Sequence, residues 1–140
     1  MEITFYVLTP TDPASRLTTA CRLIEKAFRS KHQVYVQAGS RAEAEQLDEL
    51  LWTFKAESFI PHHLVGDGPT PPPAVRIGHG PLAADARDLL VNLAAEVPTG
   101  FERFRRILEI VGGDEALRAP ARQHWRFYKQ QGYAVTSHNL

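Results

Sequence analysis

Ile3-Thr4-Phe5-Tyr6-Val7-Leu8 is an almost unbroken run of β-branched, aromatic and aliphatic residues. A strand with one wet face alternates apolar and polar residues, whereas a strand covered on both faces has no need to. This run therefore reads as a buried strand of a parallel sheet. Thr9-Pro10-Thr11-Asp12-Pro13 follows with turn chemistry. Asp12 is placed to cap a helix, and Pro13 takes its first position, where a missing N–H costs nothing. In that helix Leu17, Ala20, Cys21, Ile24, Ala27 and Phe28 form one apolar stripe, and Arg29, Lys31 and His32 suit its carboxyl end. Residues 33–38, with Val34, Tyr35 and Val36, give a second strand. Strand, helix and strand within about forty residues make a βαβ unit, which pairs its strands in parallel.

The pattern continues outward from this unit. Ser40 and Glu43 form a capping box for a helix that runs to about residue 54, with Ala44, Leu47, Leu50 and Leu51 inward. Residues 57–73 hold no period and end in Pro69, Pro71, Pro72 and Pro73, a long loop with a stiff extended end. Strands are predicted at 74–77 and 88–93. Phe101, Phe104, Ile107, Leu108 and Val111 are spaced as the apolar side of a helix over 101–111. A last helix covers 116–131, and residues 133–136 supply an edge strand. The expected fold is one α/β domain over residues 1–140: a Rossmann-like open, mostly parallel sheet with helices on both faces.

Composition narrows the function. The 140 residues carry 16 basic and 16 acidic side chains, so the net charge is zero. A molecule-wide basic field for general nucleic-acid binding is absent. One cysteine, Cys21, cannot form an internal disulfide, which fits a reducing cytoplasm. No apolar run reaches membrane-spanning length, and the start, Met1-Glu2-Ile3, lacks the features of a signal peptide.

Catalytic and cofactor chemistry is hard to place. The turn after the first strand has no glycine and two prolines, so it is no nucleotide-binding glycine loop. Gly66-Asp67-Gly68-Pro69 follows no strand. His62 and His63 are adjacent and read as exposed loop histidines rather than zinc ligands. Ser58 has no fixed relation to His62 or Asp48, and Asp48-Glu49 reads as solvated charge. Cys21 lies on an apolar stripe and reads as an inert buried thiol. No cofactor, no metal and no enzyme activity are expected.

The last helix carries the positive signal. Arg118, Arg122, Arg126 and Lys129 recur at four, four and three residues, within an arc of roughly 80°. No Asp or Glu occurs from residue 116 onward, so the stripe is expected to have no acidic partner to neutralise it. A solvated basic face is the plain alternative. Trp125 shares that side, while Leu117, Ala121, Phe127 and Tyr128 supply the inward one. Arginine beside an exposed aromatic is the composition of binding hot spots. An acidic peptide with a hydrophobic residue and a free carboxylate at its end fits such a surface. Single-stranded nucleic acid, stacked on Trp125, is the alternative. Trp52, Phe59, Ile60 and Pro61 form a second aromatic patch at the end of a helix and the start of the long loop.

Five segments together resemble the chi subunit family of bacterial DNA polymerase III. They are Thr4-Phe5-Tyr6-Val7-Leu8, Gln46-Leu47-Asp48-Glu49-Leu50-Leu51-Trp52, Ala56-Glu57-Ser58-Phe59-Ile60-Pro61-His62, Gly66-Asp67-Gly68-Pro69 and Ala121-Arg122-Gln123-His124-Trp125-Arg126-Phe127-Tyr128. The resemblance covers nearly the whole chain. It implies a non-catalytic replication accessory subunit, cytoplasmic and associated with the replisome. Its implied partners are the clamp loader's psi subunit, the acidic C-terminal tail of single-stranded DNA-binding protein, and an alternative helicase in place of psi. Nucleic acid would be met only indirectly. By motif position the tail site would include Val111, Arg118, Arg122, Trp125, Arg126 and Gly132, and the psi or helicase surface Trp52, Phe59 and Pro61. The sequence departs from the family pattern in Pro120, which removes a helical hydrogen bond near Arg118, in a tryptophan at 125 where a tyrosine is expected, and in a shorter, less basic segment at 81–88.

Overall fold

Alternate residues of the central strands pass to opposite layers, which is why their sequences are apolar throughout. The computed structural model describes residues 1–8, 13–53, 60–65, 74–113 and 115–139. In chain order these form β1 (Glu2–Val7), α1 (Pro13–Arg29), β2 (Val34–Gln37), α2 (Arg41–Thr53), β3 (His62–Leu64), β4 (Val75–Gly78) and β5 (Leu89–Asn92). A short 3-10 helix (Phe101–Arg103), β6 (Arg106–Val111), α3 (Glu115–Gln130) and β7 (Ala134–Asn139) follow. The spatial order is β3-β4-β2-β5-β6-β1-β7, and every pairing is parallel.

Val34, Val36, Val91, Leu108 and Ile110 face α1 and α2, where they meet Ala20, Ile24, Leu47 and Leu51. Ile3, Phe5, Tyr35, Leu90, Ile107 and Val111 face the other way, toward Tyr128 of α3 and the rings of Phe101 and Phe104. Helices thus cover both faces, as expected. Each such aliphatic side chain, wholly buried, contributes about 1.5–3 kcal/mol. The Ser40–Glu43 capping box is formed: the Glu43 N–H donates to Ser40 Oγ at 3.1 Å, and the Gly39 N–H donates to Glu43 Oε1 at 2.8 Å. α1 begins at Pro13, while its expected cap, Asp12, lies outside the described residues. Cys21 is fully buried, and burial pushes its thiol up to about 12.

Several expectations are corrected. Residues 101–111 are not one helix: a single 3-10 turn ends at Arg103, and β6 begins at Arg106. The spacing of Phe101, Phe104, Ile107, Leu108 and Val111 suits a helix, but Ile107-Leu108-Glu109-Ile110-Val111 is also a short, β-branched, nearly continuous run. Its placement between β5 and β1 buries both of its faces, and tertiary pairing outweighs the local period. The long loop is interrupted by β3 beside β4. His62 is 2% exposed, not a loop histidine at the surface: its Nδ1 lies 2.6 Å from the Ile60 carbonyl and its Nε2 3.0 Å from the Asp48 carbonyl. The Asp48 carboxylate is 3.3 Å from the same Nε2, so it is no freely solvated charge. Phe127 is turned outward, 37% exposed, with its edge against Phe101.

β1 and β6 are neighbours whose following helices leave to opposite faces, α1 to one and α3 to the other. Their carboxyl ends therefore form a topological switch point, the place where open α/β sheets leave a crevice for ligands.

Candidate functional site

On the α3 side of that switch point lies an open groove of about 430 Å³. Its floor and one wall are Phe5 and Val7 of β1, Val111 of β6 and Ser137 of β7; α3 supplies Arg118, Ala121, Arg122, Trp125 and Arg126. Phe5 and Val7 project here because odd-numbered residues of β1 face α3, while Thr4, Tyr6 and Leu8 face the other layer. The helix runs unbroken through Pro120. Five of the six residues expected at the tail site thus come together, Arg118 included despite the proline. The sixth, Gly132, does not line the groove; it stands in the turn after α3 with φ 87°, a left-handed conformation that favours glycine.

The basic side chains differ in their partners. Arg118 donates from Nη2 to the Leu8 carbonyl at 3.3 Å, and its Nε is buried without a partner among the described residues. Arg122 donates to Glu115 on the same helix face, two turns earlier. The stripe therefore does have an acidic partner, which sits one residue before the acid-free stretch. Arg126 is exposed and has no ion pair among the described residues. Lys129 Nζ lies 5.6 Å from the Trp125 ring centre, within cation–π range. Trp125 is half-buried, its ring edge-to-face with Phe5 at 5.2 Å. It is thus both a core residue and the groove's aromatic wall, where the sequence had suggested a ring on a charged face. An apolar pit bordered by Arg118, Arg122 and Arg126 can take a hydrophobic side chain while its rim binds carboxylates.

Beneath α3 is a polar cluster that the sequence reading missed. Glu109 of β6 is 4% exposed. Its Oε2 accepts from the Tyr128 hydroxyl at 2.7 Å and from Asn92 Nδ2 at 2.9 Å, and its Oε1 lies 3.0 Å from His124 Nδ1. The other ring nitrogen of His124 is 2.8 Å from the Ala95 carbonyl. Burial opposes charge on His124, but the Glu109 hydrogen bond and charge, with help from the Ala95 carbonyl and Glu96, raise its pKa above the ordinary value. Burial and the neighbouring Glu109 charge push the Tyr128 hydroxyl far up. A lone Glu inside the run 107–111 was the signal, and it is visible only once that run is read as a strand.

A smaller crevice of about 180 Å³ lies at the ends of β5 and β6. Arg16, 8% exposed, fills its mouth: it pairs with Glu43 at 2.9 Å, donates to the Ile110 carbonyl at 3.4 Å and bonds the Leu93 carbonyl. Gly112 packs so closely there that a β-carbon would stand 2.5 Å from Leu117. Among the described residues no three His, Cys, Asp or Glu side chains are grouped to hold a metal ion. No described helix is long and apolar enough to cross a membrane.

In the second patch, Trp52 closes α2 with 48% of its surface exposed, and its ring lies 4.2 Å from that of His62. Pro61 is half-buried and immediately precedes the buried His62 in the chain. Phe59 lies outside the described residues.

Residues 1–136 match the family model described as DNA polymerase III chi subunit, HolC. The chain is similar to the DNA polymerase III subunit chi of Pseudomonas aeruginosa, 42% identical over 139 residues that cover 99% of this chain and 96% of the relative. It is also similar to the subunits chi of Haemophilus influenzae, at 32% identity over 97% of this chain and 95% of the relative, and of Escherichia coli, at 30% over 96% and 95%.

Proposed function

Because the chain belongs to the DNA polymerase III chi subunit family, and so to the accessory parts of DNA replication, we propose that its α3 groove holds the acidic C-terminal tail of single-stranded DNA-binding protein. The observation that carries this reading is one continuous surface with an apolar pit against Phe5, Val7, Val111 and Trp125 and an arginine rim of Arg118, Arg122 and Arg126. A peptide ending in a hydrophobic residue offers both complements at once: its side chain fills the pit, and its free carboxylate and upstream acids meet the rim. A neutral chain with one short basic stripe offers few phosphate contacts, which favours the peptide over nucleic acid as the direct ligand.

The Trp52 and Pro61 surface, with Phe59, is the proposed contact for the psi subunit or an alternative helicase. The chain then works as an adaptor, non-catalytic and replisome-associated, that ties the single-strand coat to the clamp loader through psi.

Calorimetry with a short acidic peptide ending in phenylalanine tests the tail site. Binding should vanish when the terminal carboxylate is amidated. Arg122→Ala should weaken it by about 1.5–3 kcal/mol, the worth of a hydrogen-bonded charge. A folded protein that ignores the free-acid peptide, or an Arg122→Ala variant with unchanged affinity, would refute the reading; tight binding of a bare oligonucleotide instead would point to nucleic acid.

A further inference from the structure

α3 packs Ala121, Trp125 and the Tyr128 ring on the apolar core beside Phe5. A surface helix ordinarily turns only an apolar stripe inward. Here the two buried side chains of α3, His124 and Tyr128, also both end on the one carboxylate of Glu109. The groove residues Arg118, Arg122, Trp125 and Arg126 stand on the same rigid helix. Whatever fixes the rotation of α3 about its axis therefore fixes their distance from the wall formed by Phe5, Val7 and Val111.

The geometry also fixes protons. Both ring nitrogens of His124 face oxygens that only accept, Glu109 Oε1 and the Ala95 carbonyl. Satisfying both takes two N–H groups, that is, an imidazolium. Glu109 in turn accepts from Asn92, Tyr128 and His124, so its charge is met on every side. A buried pair with each donor and acceptor matched holds one geometry, and loss of one partner leaves the other stranded.

We propose that Glu109 and His124 are positioning residues for the α3 groove, a buried ion pair that locks the helix face carrying the arginines and Trp125 against the strand wall. This rests on the groove being the binding site. Glu109 faces His124 from β6, Asn92 from β5, Tyr128 from α3, and Glu96 and the Ala95 carbonyl from the segment after β5; Arg16 of α1 and Glu43 of α2 line the same crevice. When His124 loses its second proton, one of its two acceptors is left without a donor, and the lock on α3 is released.

The test follows three signals on the full chain between pH 6 and 10: the His124 ring nitrogens and the Trp125 indole N–H by NMR, and affinity for an acidic peptide ending in free phenylalanine. His124 should be doubly protonated at neutral pH. As it deprotonates, the Trp125 resonance should shift at the same midpoint, and affinity should fall by about three- to tenfold, the worth of one net hydrogen bond. His124→Gln should bind more weakly at neutral pH and lack that pH step, which separates positioning from a general loss of folding. A His124→Gln variant with wild-type affinity, or a Trp125 signal and affinity indifferent to the His124 titration, would overturn the proposal. If the peptide binds at no pH while Trp125 still follows His124, the peptide reading fails and the positioning role stands.

Discussion

Replacing Glu115 by glutamine should tighten peptide binding while slightly weakening the fold. Glu115 occupies Arg122 in the free protein, so an incoming carboxylate must first displace it. Both side chains are well exposed, 72% for Glu115 and 54% for Arg122, and solvent screening reduces such a pair to about 0.2–1 kcal/mol. Relief of that competition predicts an affinity gain of about 1.5- to 5-fold. Glu115 also stands in the first turn of α3, where an acidic side chain favours the positive end of the helix, so its removal should cost up to about 1 kcal/mol of stability. The two effects have opposite signs and are read in separate experiments: calorimetry with the free-acid peptide, and urea unfolding. At 0.5 M salt the affinity gain should shrink as screening weakens the competing pair. Unchanged or weaker binding by Glu115→Gln in a folded protein would mean that the ligand does not use Arg122 in the way inferred.

Stability should fall as the solution becomes alkaline. Although burial opposes it, the Glu109 hydrogen bond and charge raise the folded pKa of His124 above the ordinary histidine value of about 6.5, so the contribution is complete below about pH 6.5 and is lost as pH rises through the folded value; urea midpoints at pH 6.5 and 9 check this, and His124→Gln should flatten the difference. Cys21, fully buried and with its thiol pushed up to about 12, should resist a thiol-labelling reagent in the native protein and react at once in denaturant; fast native labelling would contradict the packing of α1. Trp52→Ala should leave stability within about 1 kcal/mol, since nearly half the residue is in water; if this surface holds psi as proposed and Trp52 is its hot spot, titration with purified psi should show affinity lowered by at least about 2 kcal/mol, and unchanged affinity would remove Trp52 from that surface.

The parts of the fold written in local signals were legible. β1, β2 and α2 follow from apolar runs and a capping box whose partners lie within a few residues. β6 was not, because 101–111 satisfies two periods and only the gap between β5 and β1 selects the strand. The same error hid Glu109, since an acid within a presumed amphipathic helix raises no alarm. On α3 the stripe was legible from spacing, and it led to Arg118, Arg122, Trp125 and Arg126. The opposing wall of Phe5, Val7 and Ser137 was not, because β1 and β7 come against α3 only through tertiary packing, such as the Phe5–Trp125 ring contact, that no local spacing encodes. The Arg122–Glu115 pair spans two helical turns and joins the acid-free stretch to the residue just before it, so the composition of the stretch alone does not reveal it. His62 was misjudged because its burial depends on Asp48 and Trp52 of α2, not on its own neighbours.

The register of β1 has a consequence for synthesis. Glu2 lies opposite Arg106 on one side and Ala134 on the other, so β1, once made, has no partner strand until β6 emerges. At typical elongation rates that wait is roughly 5–20 s, during which an apolar segment of the nascent chain remains unpaired. β2, β4 and β5 can assemble earlier under α1 and α2, leaving a half-sheet with one open side. Closing it requires contacts between distant parts of the chain, which makes folding slow. During that interval the apolar side chains of β1 lack the strand that would cover them, and the groove, whose wall is β1, cannot form until β6 and α3 have been made.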